Sequence, residues 1–277
     1  MINNELNIEG YAMKSIGTII LAIVLTSNLV AAQDTLYIYK SGTVVTKRAV
    51  NDIDSVIFYK ALDPAAVVDI DSNLYHSVTI GTQTWMVENL KTTKFKNGTI
   101  IPNITDGTIW SNLTTPGYCS YNNYAANKNI YGALYNLYAV NSGMLAPTGW
   151  HIPTDAEWTT LENYLIANGY NYDGTKTGNK IAKSLASTIG WSTSTNAGAV
   201  GNDLTKNNTS GFAGLPGGCR YGSGMFDGVG GSGCWWRSTE NNATNAWGRS
   251  LYFGSSNVNN FYSDKQCGYS VRCVRDY

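Results

Sequence analysis

The sequence predicts an α+β domain preceded by a small β module, and three observations carry that prediction. Apolar alternation on both sides of Gly81 reads as an early hairpin. A capping box at Thr154 and Glu157 opens the clearest helix, and from Gly211 onward short strand-like runs are separated by glycine turns. Hairpin, helices and then antiparallel strands, in that order, mark segregated rather than alternating architecture.

The elements follow in chain order. Met13-Lys14, the apolar run Ile16 to Val30 and Ala31-Ala32-Gln33 have the charged start, apolar stretch and small-residue cleavage site of an export signal over residues 1–32. Initiation at Met13 gives that signal a conventional length. The run is shorter than the ~20 residues that span a bilayer, so no stable membrane span is expected after cleavage behind Ala32. No cysteine stands at the cleavage site to take lipid, and the mature chain is expected to be secreted or at the cell surface.

Residues 33–62 read as a small β module and linker. Leu36 to Tyr39, Thr43 to Thr46 after the Ser41-Gly42 turn, and Ser55 to Tyr59 form its strands, before Ala61-Leu62-Asp63-Pro64. The main domain spans 67–277. Tyr75 to Ile80 and Thr82 to Val87 flank Gly81 as a hairpin. A helix is expected over Tyr131 to Val140, with Leu134, Leu137 and Tyr138 inward, and a shorter one over Asn179 to Ala186, with Ile181 and Leu185 one turn apart. Between them the Thr154 helix carries Trp158, Leu161 and Leu165 on one face and ends at Gly169. Trp247, Arg249 and Leu251 share one face of a late strand. In the closing strand Val271, Cys273 and Arg275 face one way, Arg272 and Val274 the other.

Composition narrows the function. Hydrophobic residues at 43% suffice for a sizeable core, while 14% charged residues, zero formal net charge and the absence of a Lys/Arg run argue against a nucleic-acid partner. Cys119, Cys219, Cys234, Cys267 and Cys273 include no C-x-x-C, and only two histidines exist, so no metal site is expected. Export permits disulfides, with Cys119, Cys219, Cys234 and Cys273 as candidates. Cys219 and Cys234 flank a glycine-rich turn and could bridge its arms, but spacing alone does not fix the pairing.

Several motifs dissolve on inspection. Asp69, Asp71 and Asn73 have calcium-loop spacing, but Leu74 replaces the turn glycine and Ile80 the final Glu. Gly228, Gly230 and Gly233 spell G-x-G-x-x-G ahead of a strand, where no helix could hold a pyrophosphate. His151 is expected to bond a nearby backbone group, and Glu157 of a possible Glu88/Glu157 acid pair already caps a helix. No catalytic residue and no cofactor is expected.

Three groups of residues resemble a known family: Val78 to Leu90; Tyr131 to Asn136; and Pro147 to Trp158. Gly211 to Gly218, Trp235 to Glu240 and Gly268 to Asp276 extend the likeness, in order, across roughly 67–277. Together they resemble the Fibrobacter succinogenes major paralogous domain of secreted Bacteroidetes proteins. The resemblance implies a C-type-lectin-like fold related to the sulfatase-modifying factor, and no particular activity. The calcium-binding triplets of true C-type lectins are missing. Ala146-Pro147 stands where the family often has Cys-Pro, so Cys273 finds another partner, such as Cys119, or stays reduced.

Asn241 to Ser270 is dense in Asn, Ser, Gly, Tyr and Phe between two regular segments. Rigid aromatics with adaptable hydrogen-bonding residues make up binding loops, although an ordinary polar loop shares the composition. The candidate ligand-binding residues are Asn241, Asn242, Asn245, Ser250, Tyr252, Phe253, Ser255, Asn257, Asn259, Asn260, Phe261, Tyr262, Asp264 and Tyr269, with Trp247, Arg249, Leu251, Val258 and Lys265 as frame. The segment also resembles the variable proteins of diversity-generating retroelements, whose rewritten codons yield this palette. The leading expectation is a secreted or surface binding protein that meets a protein or glycan ligand on another surface. A structural surface component and an enzyme related to the sulfatase-modifying factor are the alternatives.

Overall fold

The structure, a computed structural model, describes residues 21–22, 35–40, 43–49 and 66–277. Apart from residues 21–22, the expected export signal lies outside the described residues, as do the Ser55 to Tyr59 strand and the linker at 61–64. Contacts divide the chain into two compact units, Met1–Ala61 and Leu62–Tyr277. In the first, β1 (Leu21–Ala22), β2 (Thr35–Lys40) and β3 (Thr43–Ala49) pair antiparallel in that order.

The second unit is mixed α+β, with many short strands and few helices. It opens on the ladder of β4 (Val67–Val68) with β5 (Leu74–Tyr75) and the hairpin of β6 (Ser77–Ile80) with β7 (Gln83–Met86). Gly81 makes that turn at φ 63, and its missing Cβ leaves room for the Tyr164 ring. The Asp69 carboxylate accepts from the amides of Asp71 and Asn73, the Asn73 side chain and the Tyr75 hydroxyl. Those donors tie the β4–β5 turn with the oxygens a cation would need.

Next come α1 (Gly107–Ser111), β8 (Tyr118–Cys119), α2 (Ala125–Tyr131), β9 (Leu134–Tyr135) and α3 (Leu137–Val140). The helix expected over Tyr131 to Val140 is therefore broken. Gly132 at φ 84 ends α2, Leu134 and Tyr135 pair with β8, and the Asn136 side chain accepts from Ala139 N at 3.1 Å to start α3.

After β10 (Trp150–His151), α4 (Asp155–Ala167) has the full capping box, buries Trp158, Leu161 and Leu165, and is followed by Gly169 at φ 79. The helix α5 (Ala182–Leu185) is shorter than expected, but Ile181 and Leu185 are buried.

The remaining strands are β11 (Gly217–Arg220), β12 (Phe226–Val229), β13 (Ser232–Glu240), β14 (Asn245–Tyr252), β15 (Asn259–Asp264) and β16 (Val274–Arg275). Two sheets result, β10-β16-β7-β6 and β12-β11-β13-β14-β15. Of the closing segment only Val274–Arg275 is regular strand. Val271 and Cys273 nevertheless enter one core cluster and Val274 another, as alternation demands.

The second cluster is built around Trp85, Trp158, Phe212 and Trp235, whose rings meet edge-on or tilted at centroid distances of 4.9 to 6.4 Å. The first is rich in tyrosine, with Tyr269 meeting Trp236 and Phe261 edge-on at 4.6 and 5.1 Å.

All five cysteines are free, so the expected disulfides are not formed. Cys119 lies in a third cluster with Trp110 and Leu134, apart from Cys273 in the first, which separates that proposed pair. Cys219, Cys234 and Cys267 pack in or against the first cluster as separate thiols.

Candidate functional site

The Asn241 to Tyr269 segment is built from a hairpin, a docked loop and an edge strand. At the hairpin end the Asn242 carboxamide oxygen accepts from Thr244 N, Thr244 Oγ1 and Asn245 N at 2.8 to 3.0 Å, closing the turn between β13 and β14. Glu240 Oε1 takes Lys265 Nζ at 2.9 Å and the Asn141 amide at 2.6 Å, so the turn is anchored on both sides.

Cross-strand register decides which side chains face out. Asn245 pairs with Asp264, Trp247 with Tyr262 and Arg249 with Asn260, which places these six on one face of β14 and β15. The other face carries Ala246, Gly248 and Ser250 opposite Ser263, Phe261 and Asn259, and turns toward the tyrosine-rich core. A Cβ on Gly248 would lie 2.4 Å from Phe261 Cζ, so the missing side chain is what lets the end of the Phe261 ring approach the strand this closely.

At its Arg249 end this face is covered by α4, and only the part around Tyr262 is presented. Arg249 donates to Glu162 at 2.5 Å and to Asp155 at 3.0 Å, and Arg237 ion-pairs with the same Asp155. Burial together with the charge of Arg249 pushes the Arg237 guanidinium down to about 9. Arg237 lies over the Trp247 ring at 5.2 Å, and Tyr262 meets that ring edge-on at 5.7 Å. Tyr262 itself is 62% exposed. Two buried arginines, paired with half-exposed Asp155 and with Glu162, thus hold a tryptophan that supports an exposed tyrosine, flanked by exposed Asn260 and Asp264.

The middle of the segment leaves this face. Gly201 N donates to Phe253 O at 2.7 Å, Val200 N to Ser255 O at 3.0 Å and Ala182 N to Ser256 O at 3.0 Å, while Asn179 brackets Val258 with two hydrogen bonds. Phe253 and Ser255 are thereby half-buried, and Val258 is buried. Tyr252, tilted against Phe253 at 4.6 Å, and Asn257 remain exposed.

The candidate residues therefore separate into groups. Asn241, Asn242, Asn245, Asn260, Tyr262 and Asp264 come together at the hairpin and outward face, and Tyr252, Phe253, Ser255 and Asn257 on the docked loop. Ser250 and Phe261 lie half-buried on the inward face, Asn259 at its end is exposed, and Tyr269 is only 4% exposed, packed against Trp236 and Phe261. Trp247, assigned from sequence to the frame, belongs with the presented face. Its register with Tyr262 is what shows this.

The residues weighed for catalysis are engaged elsewhere. His151 holds Asp276 on Nδ1 and Glu157 on Nε2, both at 2.6 Å, rather than the backbone group expected. Burial works against its proton, but the hydrogen bonds and charges of these two carboxylates prevail and raise its pKa. Glu88 is bound to His76 at 2.6 Å, so the two glutamates serve separate histidines. No group of three or more His, Cys, Asp or Glu fit to hold a metal occurs among the described residues.

The family model of the Fibrobacter succinogenes major domain matches residues 78–275, from the first hairpin through the last strand. The chain belongs to this family. No curated protein matches it, and neither does any solved structure. In this member of the Fibrobacter succinogenes major domain family, residues from separate segments of the matched range meet in the core. Asn89 Oδ1 accepts from Trp235 Nε1 at 2.8 Å and from Arg272 Nη2 at 3.0 Å, while Arg272 also donates to the Phe212 carbonyl and covers the Phe212 ring at 4.1 Å. These segments thus meet in the Trp85, Trp158, Phe212 and Trp235 cluster that packs α4 against the sheet, on the same face of β13 as Arg249 is on β14.

Proposed function

We propose that this protein is an exported binding module of C-type-lectin-like fold. It presents the outward face of β14 and β15, with the Tyr252 loop, to a protein or glycan ligand on another surface. The observation that carries the reading is Tyr262, an exposed aromatic anchor held on Trp247 by a sheet whose charges are neutralised from α4. An anchor fixed before binding loses little conformational freedom, and the adjoining Asn260 and Asp264 supply adaptable polar contacts.

Diversification of this surface deepens the proposal. The Asn, Ser, Tyr, Phe, Gly and Asp palette of residues 241–264 supports it, with the most exposed positions on a stable frame. A neighbouring reverse-transcriptase gene and a template repeat differing from the 3' end of the gene only at adenines is the genomic expectation; neither being found removes this part alone.

Binding is tested by screening the full chain against arrayed extracellular proteins and glycans and repeating the hits with Tyr262→Ala, Asn260→Ala and Tyr252→Ala. Loss of binding with unchanged thermal unfolding is expected. Hits that keep full affinity in all three variants would exclude this face.

A further inference from the structure

A second candidate site lies away from the presented face. A half-open cavity of about 680 Å³ is formed by the loop after α4, by α5 and by residues 197–209. That size lies within the ~300–1,000 Å³ of small-molecule sites. The geometry points to a binding site for a neutral saccharide, with the Tyr172 ring as its stacking platform.

The platform is built by a glycine. At Gly198, φ 74, a Cβ would fall 2.2 Å from Tyr172 Cε1, so the ring lies directly on the backbone there, while Tyr172 remains 45% exposed. A ring supported from below and open elsewhere offers an apolar surface of the kind that sugar C–H groups cover.

The polar groups suit hydroxyls. Tyr170 Oη, Tyr172 Oη and Thr209 Oγ1 have no hydrogen-bond partner among the described residues. Asn168 and Asn202 spend their Nδ2 groups on the carbonyls of Tyr164 and Ser194, at 2.8 and 3.3 Å, and leave both carboxamide oxygens free to accept. Hydroxyls that donate and accept, beside amide oxygens that accept, complement a sugar. A wholly apolar ligand would cover these groups without pairing them, at a cost in desolvation.

Charge selects a neutral ligand. Lys183 Nζ donates to the carbonyls of Ala199, Asn202 and Asp203, which uses all three of its protons to tie the cavity wall together. Lys206 Nζ is paired with Asp203 at 3.3 Å and is largely exposed. An anionic ligand would have to compete for ammonium groups that are already engaged.

The test is calorimetric titration of the full chain with cellotetraose, xylotetraose, mannotetraose and chitotetraose, with tetragalacturonate as the anionic comparison. At least one neutral oligosaccharide should bind, and Tyr172→Ala should weaken it by about ten-fold or more, whereas Tyr172→Phe should stay within about three-fold. Thr209→Val, an exposed position, gives a second reading with little risk to folding and should weaken binding several-fold. Tyr262→Ala should change nothing, which keeps this site distinct from the presented face. Failure of every neutral sugar to bind, preference for the galacturonate, or full binding by Tyr172→Ala overturns the inference.

Discussion

Asn89 Oδ1 accepts from Arg272 Nη2 at 3.0 Å in a place where, among the described residues, no carboxylate pairs with the guanidinium. The cation is instead faced by the Phe212 and Trp235 rings at 4.1 and 5.7 Å, and burial pushes it down to about 9. One neutral amide therefore carries much of the polar satisfaction of a buried charge.

Removing that amide should cost more than removing the charge. Asn89→Ala leaves a buried guanidinium and the Trp235 indole N–H short of an acceptor, for an expected loss of about 3 kcal/mol. Arg272→Met keeps the volume, removes the cation and leaves Asn89 bonded to Trp235, so its loss should be the smaller. Urea unfolding of both variants checks the order; equal losses, or a larger one for Arg272→Met, contradict it.

Gly248 gives a test of how the presented face is held. Gly248→Ala sets a methyl against the Phe261 ring and should destabilise by about 1–3 kcal/mol, typical of overpacking. Because the clash is with one side chain, adding Phe261→Ala should recover part of the loss, giving a coupling between the two sites. Thermal unfolding of the two single variants and the double completes the cycle, and strict additivity would show that the ring is not what Gly248 accommodates.

What was legible in the sequence was what local chemistry determines. The α4 helix follows from Thr154, Glu157 and the spacing of Trp158, Leu161 and Leu165, all within one stretch. The break at Gly132 and the cap at Asn136 were also local signals, but an apolar periodicity running across them favoured a single helix. Trp247 could not be sorted from its own strand, because its face matters only against Tyr262 in register. Tyr269 shared the palette of a binding loop and is buried by Trp236 and Phe261, one of them 33 positions earlier in the chain. Lys183 gave no sign of its role, since its carbonyl partners stand 16 to 20 residues away.

The thiols should be inert while the protein is folded. Burial pushes Cys119 and Cys219 up to about 12, and Cys234, Cys267 and Cys273 are raised as well, so little thiolate exists near neutrality. Hydrogen bonds from Gly222 N and Ser263 Oγ to Cys267 Sγ, at 3.2 and 3.1 Å, favour its thiolate but do not overcome burial. A disulfide reagent such as Ellman's, added at pH 8, should titrate essentially no cysteine until denaturant is added. Fast stoichiometric reaction of any one thiol in the folded state would be inconsistent with this packing.

The His151 clasp predicts a pH dependence. His151 joins the C-terminal Asp276 to Glu157 at the start of α4, and Glu157 is further held by Thr154 N and Oγ1, both at 2.8 Å. Burial raises the Glu157 pKa, but the Thr154 and His151 hydrogen bonds outweigh it and leave the carboxyl below its ordinary 4.5. A raised histidine stabilises fully below its ordinary 6.5 and loses that contribution as pH climbs through the folded value; a lowered glutamate stabilises above 4.5 and loses it as pH falls through its own. The clasp is thus complete between about 4.5 and 6.5 and weakens on either side. His151→Gln should lower Tm most within that window and progressively less toward pH 9, because the wild-type imidazolium is then lost as well. The groups are partly exposed, so solvent screening keeps the effect modest. Scanning calorimetry of both proteins from pH 4 to pH 9 reads it directly, and a Tm difference that stays constant across the range would mean that the imidazolium contributes nothing to holding the C-terminus.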